Sequence, residues 1–222
     1  MSKGLIWVTR SQPGADATAN KLQALGYSVR AAPLIKIVPV KDTPPAPSEG
    51  AVLIFTSGHG VRMFCRQIER RAWHVVTVGD ATAKLALAHG FENVQSASGT
   101  ADDIPSVISA AYVGRPIVHC SGSFVRGGFL KTLAAQGHDT DRQIWYEQVP
   151  VLHNPVSDVE AFSHIVFHSP LAAKTFANFG ATVQGLVSVS ISKATDQALG
   201  ALEFCDRLVA EEPTAASVLS LL

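Results

Sequence analysis

The sequence repeats itself, and this repetition limits the possible folds more than any other feature. Residues 51–64 (AVLIFTSGHGVRMF) align with residues 163–176 (SHIVFHSPLAAKTF) at an offset of 112. Residues 5–37 and 117–149 align at an offset of 111. We name the segments A (from 5), B (from 51), A′ (from 117) and B′ (from 163), so the chain alternates A, B, A′, B′. Internal repeats of this kind point to one structural unit that was duplicated.

Each segment mixes short apolar runs with amphipathic helical patterns. The runs LIWV, AVLIF, HVVTV, RPIVHC, HIVF and LVSVSI are typical of buried parallel strands. Helices are predicted over residues 16–25 and 125–136, followed by Gly26 and Gly137, because glycine readily takes the left-handed conformation that ends a helix. Strands that alternate with helices predict an α/β fold with doubly wound parallel sheets.

Two segments interrupt the repeats. Residues 41–47 (KDTPPAP) favour an extended linker, and residues 153–155 form a weaker break. Crossings at these points would combine A with B′ in one lobe and B with A′ in the other. The periodicity leaves that exchange and a simple tandem arrangement equally open.

The composition favours a globular protein with a neutral surface. Hydrophobic residues make up 47% of the 222 residues, and eighteen basic residues balance eighteen acidic ones. This balance argues against nucleic-acid binding, and no apolar run is long enough to span a membrane. Three cysteines far apart, Cys65, Cys120 and Cys205, predict reduced thiols in a cytoplasmic protein.

Small, hydroxyl-rich loops follow the predicted strands. Ligands of open α/β sheets bind beyond the carboxyl ends of the strands, where amides at helix N-termini attract anions. The loops therefore predict a surface for carboxylates or phosphates. The alternative is that these Ser and Thr residues only cap helices. The loops are 9–11 (TRS), 56–58 (TSG), 79–82 (GDAT), 121–123 (SGS), 168–170 (HSP) and 192–195 (SKAT).

Several sharper motifs are missing from the sequence. Gly58 and Gly60 begin a glycine fingerprint for dinucleotides, but Met63 stands at the third glycine position. The sequence has no P-loop and no G-x-S-x-G nucleophile elbow. The histidines and cysteines lack zinc spacing, so we predict no metal site.

An ordered set of motifs resembles the uroporphyrinogen-III synthase family over essentially the whole chain. The motifs are VTR, FTSGHGV, VGDATA, SGTADDI, SGSFVRGGFLKTLAAQG, IWYEQ and FHSP. The resemblance implies two flavodoxin-like lobes that are related by duplication and joined by a flexible two-stranded connector. It favours the exchanged arrangement, with residues 1–37 plus 150–222 in lobe 1, residues 38–149 in lobe 2, and the substrate cleft between them.

The resemblance also implies an activity. The family closes linear hydroxymethylbilane into a macrocycle in haem biosynthesis, inverts the last pyrrole ring through a spiro intermediate, and releases water. It uses no metal and no cofactor. We therefore expect a cytoplasmic, monomeric cyclising lyase that has no nucleic-acid or membrane partner and that makes transient contact with the preceding pathway enzyme.

The same resemblance implies site residues. Tyr146 in IWYEQ is the candidate general acid, with a ring that merely packs at a strand end as the alternative. Arg10 is favoured above Lys84, Arg126 and Lys193 as a source of positive charge, because it directly follows a strand. The expected substrate-binding residues are Thr9, Arg10, Thr56, Ser57, Gly58, Gly79, Thr82, Ser121, Gly122, Ser169 and Thr195.

The sequence departs from the family pattern at three places. His168 replaces the usual Thr, Ser192 replaces a Gly, and the proline after VTR is displaced to Pro13. These changes leave open a non-catalytic sensor that binds tetrapyrroles or another anion on the same scaffold. A flavodoxin-type redox module would need a phosphate-cradling loop, and residues 9–18 lack its close glycines.

Overall fold

The computed structural model describes residues 3–125 and 127–222. The first half of the chain forms β1 (Lys3–Val8), α1 (Gly14–Ala24), β2 (Tyr27–Ala31), β3 (Ile35–Pro39), β4 (Val52–Phe55), α2 (Gly58–Gln67), β5 (His74–Thr77), α3 (Asp80–Ala88), β6 (Asn93–Ser96) and α4 (Ile104–Ala111). The second half forms β7 (Ile117–Gly122), α5 (Phe129–Ala135), β8 (Thr140–Pro150), β9 (His164–Phe167), α6 (Pro170–Ala177), β10 (Val187–Ser190), α7 (Lys193–Gln197), β11 (Asp206–Val209) and α8 (Ala215–Leu219).

The chain divides into two compact units. Unit 1 consists of Met1–Ile37 and Val149–Leu222, and unit 2 consists of Val38–Gln148. Strands β3 and β8 both run across the boundaries between the units and are neighbours in one sheet. The chain therefore crosses between the units along two paired strands.

Both units contain the same order of repeated strands. The five-stranded sheet has the order β11-β10-β9-β1-β2, and the six-stranded sheet has the order β3-β8-β7-β4-β5-β6. Aligned by the repeats, β2-β1-β9-β10-β11 corresponds to β8-β7-β4-β5-β6. Because β1 pairs with β9 and β7 pairs with β4, segments A and B′ share one sheet, and A′ and B share the other. These ladders are parallel, as predicted for an α/β fold.

Unit 1 buries apolar side chains on both faces of its sheet. Successive residues of a strand point to opposite faces. Trp7 packs against Phe162 and Phe176 on one face, whereas Val8 packs with Leu22 of α1 on the other. This burial on both faces explains why the strands are almost uniformly apolar.

Unit 2 follows the same scheme with a larger aromatic cluster. On one face, Phe55, Phe64, Phe91, Trp73 and Trp145 form a contiguous set of ring contacts, with Phe64 and Trp145 centroids 4.8 Å apart. The other face is covered by α4 and α5, whose Ile104, Ile108, Phe129 and Leu133 pack on Val52 and Ile54 of β4 and on neighbouring strands.

Two predicted helix ends agree with the structure, whereas the predicted start of α5 is wrong. Gly26 and Gly137 have φ of 87° and terminate α1 and α5 as predicted. However, α5 begins at Phe129 and not at residue 125, because Gly127 has φ of 93° and Gly128 takes the N-cap position. Of the helices in the described ranges, none has the length and apolar character needed to cross a bilayer.

Candidate active site

Three neighbouring strands of unit 2 end at a common edge. Thr56 and Ser57 directly follow β4, Gly79 lies two residues beyond β5, and Ser121 and Gly122 end β7. The strand order β7-β4-β5 places these ends side by side. The predicted loops of this unit therefore meet at the carboxyl edge of its sheet, where α/β proteins bind ligands.

Tyr146 of β8 reaches this edge and contacts two of the predicted residues. Its hydroxyl oxygen lies 2.9 Å from Ser57 Oγ. In the β7–β8 ladder Tyr146 pairs with Gly122, immediately after an irregularity in register. A Cβ at Gly122 would lie 2.4 Å from Tyr146 Cε2, so only glycine lets the ring occupy this place. Tyr146, Ser57 and Gly122 form what we call the tyrosine site.

The environment keeps the phenol protonated. Burial raises the pKa of Tyr146 above its usual value, and hydrogen bonds with Ser57 and the backbone of Gly122 oppose that shift. Only 4% of Tyr146 is exposed, whereas Ser57 is half-buried. At neutral pH the pair is thus a neutral phenol next to a more accessible hydroxyl, an arrangement that donates a proton more readily than it accepts one.

Ser57 has a second role at the beginning of α2. Its extended backbone makes it the N-cap, and its Oγ accepts from Gly60 N at 3.4 Å. Gly60 is packed against the end of β7, since a Cβ there would lie 2.7 Å from the carbonyl oxygen of Cys120. Gly58 opens the helix. One hydroxyl of Ser57 therefore serves both the start of the helix and the contact with Tyr146.

A buried histidine supports the same edge. His119 Nε2 lies 3.2 Å from Thr56 Oγ1, and the imidazole packs edge-on against Phe129 with centroids 4.9 Å apart. Burial, with the charge of Arg142 as a smaller cause, lowers the pKa of His119 to about 4. The ring is thus neutral at pH 7 and holds Thr56 in place.

Arg142 organises the loop after β7, and sequence reasoning missed it. Its Nε donates to Ser121 Oγ at 3.0 Å, and its Nη2 donates to the carbonyl oxygens of Gly122 at 2.7 Å and Ser123 at 2.9 Å. These bonds fix the backbone on which the ring of Tyr146 rests. Arg142 belongs to the polar DRQ stretch of segment A′, where nothing in the sequence distinguishes it from a solvated surface residue.

The candidates in unit 1 lie at the corresponding edge but are used internally. Thr9 is fully buried and donates to the carbonyl oxygen of Val166 at 2.8 Å. Thr195 is buried with its Oγ1 3.1 Å from Ser192 Oγ, and Ser169 caps α6 by accepting from the amide of Ala172. In this structure these hydroxyls stabilise the strand ends and helix starts.

The charged candidates differ in their surroundings. Arg10 is half-buried next to α1, with Nη1 3.3 Å from Thr18 Oγ1. Lys84 and Lys193 are exposed, as solvated surface residues are. Arg126 lies outside the described residues.

The remaining candidates lie at the start of α3. Gly79 is its N-cap, and the amide of Thr82 donates to the carbonyl oxygen of Gly79 at 3.0 Å. Thr82 stays partly exposed on the first turn. Within residues 3–125 and 127–222, His, Cys, Asp and Glu form no group of three or more that is placed to hold a metal ion.

Known proteins match the chain both in sequence and in fold. The sequence model of the family uroporphyrinogen-III synthase HemD matches residues 16–220. A uroporphyrinogen-III synthetase from Helicobacter pylori superposes with a TM-score of 0.68 at 16% identity, covering 99% of this chain and 97% of that one. A mutant uroporphyrinogen III synthase from Thermus thermophilus superposes with a TM-score of 0.53 at 13% identity and covers 99% and 97%. Structural matches at such low sequence identity show a shared fold and nothing more. No curated protein matches the sequence significantly.

Proposed function

Since the chain belongs to the uroporphyrinogen-III synthase family, we propose that it cyclises hydroxymethylbilane to uroporphyrinogen III in haem biosynthesis. The family match, which extends over nearly the whole chain, carries this conclusion. The linear substrate loses water, and the last pyrrole ring is inverted through a spiro intermediate as the macrocycle closes.

The chemistry requires orientation and one proton. Loss of the hydroxyl group produces an electrophilic azafulvene that closes unaided, but without inversion of the ring. The enzyme must therefore hold the chain so that the substituted carbon of the last ring attacks. Orientation alone accounts for very large effective concentrations. Departure of the hydroxyl group as water still needs a proton donor.

We assign the proton donor to the tyrosine site. The phenol of Tyr146 gives its proton to the leaving hydroxyl group, and the resulting phenolate accepts hydrogen bonds from Ser57 and the backbone of Gly122. After the spiro intermediate fragments and the macrocycle closes, the pyrrole carbon that formed the final bond loses its proton as the pyrrole regains aromaticity, and this proton restores the phenol. The observation that carries this assignment is the 2.9 Å contact between a buried, protonated phenol and a half-buried hydroxyl.

The carboxylates of the substrate need hydrogen-bond donors, and these must come from a protein that has no large net positive charge. We propose that the amides and hydroxyls at the starts of α2, α3, α6 and α7 supply them. A helix N-terminus carries about half a positive charge, and this suits carboxylates in a chain with balanced charges. Of the residues expected from the resemblance, those at these helix starts are Thr56, Ser57, Gly58, Gly79, Thr82, Ser169 and Thr195. Because the hydroxyls of Thr9 and Thr195 are buried and bonded within unit 1, we propose no contact from either hydroxyl to the substrate, whereas Ser121, Gly122 and Arg10 lie at strand ends beside the helix starts.

A product-ratio assay tests the activity. Hydroxymethylbilane is supplied to the protein, the products are oxidised, and type III and type I uroporphyrin are separated by chromatography. We expect type III to predominate. Type I alone, formed at the rate seen without protein, would leave a scaffold that binds tetrapyrroles without converting them.

We also propose that the enzyme acts as a monomer in the cytoplasm and meets the preceding pathway enzyme only transiently. Free thiols at Cys65, Cys120 and Cys205 support a reducing compartment. Sedimentation velocity at micromolar concentration tests the oligomeric state, and a dimer would contradict this part of the proposal.

A further inference from the structure

Unit 1 contains a pocket that the tyrosine site does not use. It lies between α1 and α8 beside the end of β9 and has a volume of about 60 Å³. One water molecule needs roughly 10–15 Å³ of such cavity volume, so the pocket has room for a group of about four heavy atoms. Its lining combines polar side chains with apolar ones from α8: Arg10, Thr18, Lys21, His168, Val218 and Leu219.

Arg10 brings a cation into this pocket. Its guanidinium lies along α1, where a Cβ at Gly14 would come within 2.5 Å of Arg10 Nε. Burial lowers the pKa of Arg10, but an arginine stays charged at neutral pH. Among the residues that the structure describes, no carboxylate forms a salt bridge with Arg10. The charge is thus partly desolvated without a protein anion to balance it.

His168 adds a hydrogen-bonding group. Both of its ring nitrogens are buried, and within the described part of the chain no group bonds to either. Burial, and secondarily the charge of Arg10, lowers the pKa of His168 to about 3, so the neutral ring has one N–H to donate. A buried donor without a partner costs free energy, which an incoming acceptor would recover.

The corresponding place in unit 2 is filled by the side chains of Phe129 and Ile104. The repeats align Thr18 with Phe129, and the match of residues 99–101 (GTA) with residues 213–215 (PTA) aligns Val218 with Ile104. Phe129 packs with Ile104 in the core and lies 4.9 Å from the ring of His119. The combination of Arg10, His168 and a small Thr18 is therefore specific to unit 1, since unit 2 has Ser121, Thr56 and the bulky Phe129 at these positions.

We propose that this pocket binds one small oxyanion group, a carboxylate or a phosphate, between the guanidinium of Arg10 and the imidazole N–H of His168. A guanidinium fork matches the geometry of both groups, and the pocket admits either one. The anion comes from one of two sources, an acidic side arm of the tetrapyrrole or a free ion. The tetrapyrrole as a source rests on the proposed function, whereas binding of a free ion does not depend on it.

The binding test is an NMR titration that needs no turnover. Acetate or inorganic phosphate is added at pH 7 and constant ionic strength, balanced with chloride, while the ring ¹⁵N signals of His168 are followed. The His168→Thr variant identifies those signals by their loss. We expect a saturable shift with half-saturation at about 10 mM, an affinity reasonable for one charged contact pair.

Three variants separate the pocket from general charge effects. Thr18→Phe copies unit 2 into unit 1 and should abolish the saturable shift. Arg10→Met should weaken binding about tenfold or more, since a hydrogen bond to a charged group is worth about 1.5–3 kcal/mol. Arg30→Met removes an exposed arginine of the same unit and should leave the shift unchanged.

Gly14→Ala keeps the proposal testable if Thr18→Phe does not fold. The added Cβ displaces the guanidinium of Arg10, and binding should again weaken. A shift that grows linearly without saturation would overturn the proposal. Equal anion affinity of the wild type and a folded Thr18→Phe protein would also overturn it. So would equal losses of anion affinity in Arg10→Met and Arg30→Met.

Steady-state kinetics with hydroxymethylbilane then identify the source of the anion. A higher KM with unchanged kcat in Thr18→Phe assigns the pocket to a carboxylate of the substrate. An unchanged KM in a variant that no longer binds acetate or phosphate assigns it to a free anion. If the wild type produced no type III product but still bound the anion, the proposed function would fail and the pocket would stand.

Discussion

The two units have the same strand order, but their interiors differ beside two equivalent strand pairs. These pairs are β1 with β9 in unit 1 and β7 with β4 in unit 2. In unit 2, His119 bonds to Thr56 and packs edge-on against Phe129, so that no pocket is left between them. In unit 1, the repeats replace Thr56 by His168 and Phe129 by Thr18, and a polar pocket remains. A duplicated fold thus preserves its strand pairing, while different side chains at two positions leave a pocket in one unit and a packed core in the other.

The units differ as sharply at the tyrosine site. The repeats align Tyr146 with Ile35, while Ser57 and Ser169 are identical and both cap helices. Unit 1 therefore keeps the serine but lacks the phenol. The comparison separates the two roles of the serine, because only Ser57 has a tyrosine to position.

The largest expected effect is that of Tyr146→Phe, which makes unit 2 resemble unit 1. Loss of the phenolic proton should lower kcat about 100-fold, the usual contribution of a general acid. The fold should persist, since the ring remains. Tyr112→Phe makes the same change at a buried tyrosine of unit 2 outside the site and should retain activity. Equal turnover in both variants would remove Tyr146 from the mechanism.

Gly122→Ala perturbs the same ring without removing the hydroxyl. The new Cβ would lie 2.4 Å from Tyr146 Cε2, so the ring must move. We expect a loss of about 2 kcal/mol in the free energy of unfolding, as in other overpacked cores, together with lower kcat. Gly128→Ala is the matched control, because its Cβ meets nothing within 4 Å. Urea denaturation and the product-ratio assay measure the two effects, and equal stability of both variants would contradict the packing argument.

His168→Thr gives unit 1 the threonine that unit 2 has at the equivalent position, Thr56. The variant should change how the free energy of unfolding depends on pH below neutrality. The pKa of His168 is lowered to about 3 in the folded protein, against about 6.5 for an unfolded histidine. The unfolded chain therefore binds more protons below pH 6.5, and folding stability falls as pH decreases toward 3. Between pH 7 and pH 5 the wild type should lose about 2 kcal/mol more than the variant.

His119→Thr provides the comparison for that prediction in unit 2. Its folded pKa of about 4 implies a loss of similar size over the same interval. Urea denaturation at both pH values gives the difference directly. Parallel pH dependence in the wild type and both variants would show that neither histidine is held neutral by burial.

The smallest effect concerns the two capping serines. Ser57→Ala and Ser169→Ala each remove a side-chain acceptor at the start of a helix, and each should cost about 1 kcal/mol of stability. Only Ser57→Ala should also lower kcat, because Ser57 alone contacts Tyr146. Thermal unfolding and kcat at saturating substrate of the two variants test this, and equal losses of kcat would mean that the tyrosine contact has no catalytic role.

Much of the fold was predictable from local patterns. The six predicted apolar runs overlap β1, β4, β5, β7, β9 and β10, because β-branched residues and burial on both faces mark such strands. The edge strands β6 (NVQS) and β11 (DRLV) are half polar and were not singled out. The predicted start of α5 at residue 125 is wrong, because Gly127 with its positive φ and Gly128 at the N-cap delay the helix to Phe129.

The candidate site was only partly predictable. Tyr146, Ser57 and Gly122 were named individually from the family resemblance, but their contact was not. Ser57 and Tyr146 are 89 residues apart, and no local pattern encodes a distance between side chains on separate strands. Arg142 and the pairing of His119 with Thr56 left no signal, because each depends on which strands become neighbours.

The sequence by itself determined the parallel α/β class, the duplication, and the loops that follow each strand, since periodicity, β-branching and glycine placement act over a few residues. The family resemblance favours pairing of segment A with B′ and of A′ with B, but local preferences are satisfied equally by both arrangements, so the strand pairing itself is decided in the tertiary structure. The tertiary structure also decided that Tyr146 meets Ser57 in unit 2 and that Arg10 and His168 line a pocket in unit 1. These contacts exist only once distant strands have paired and their ends share one edge of a sheet.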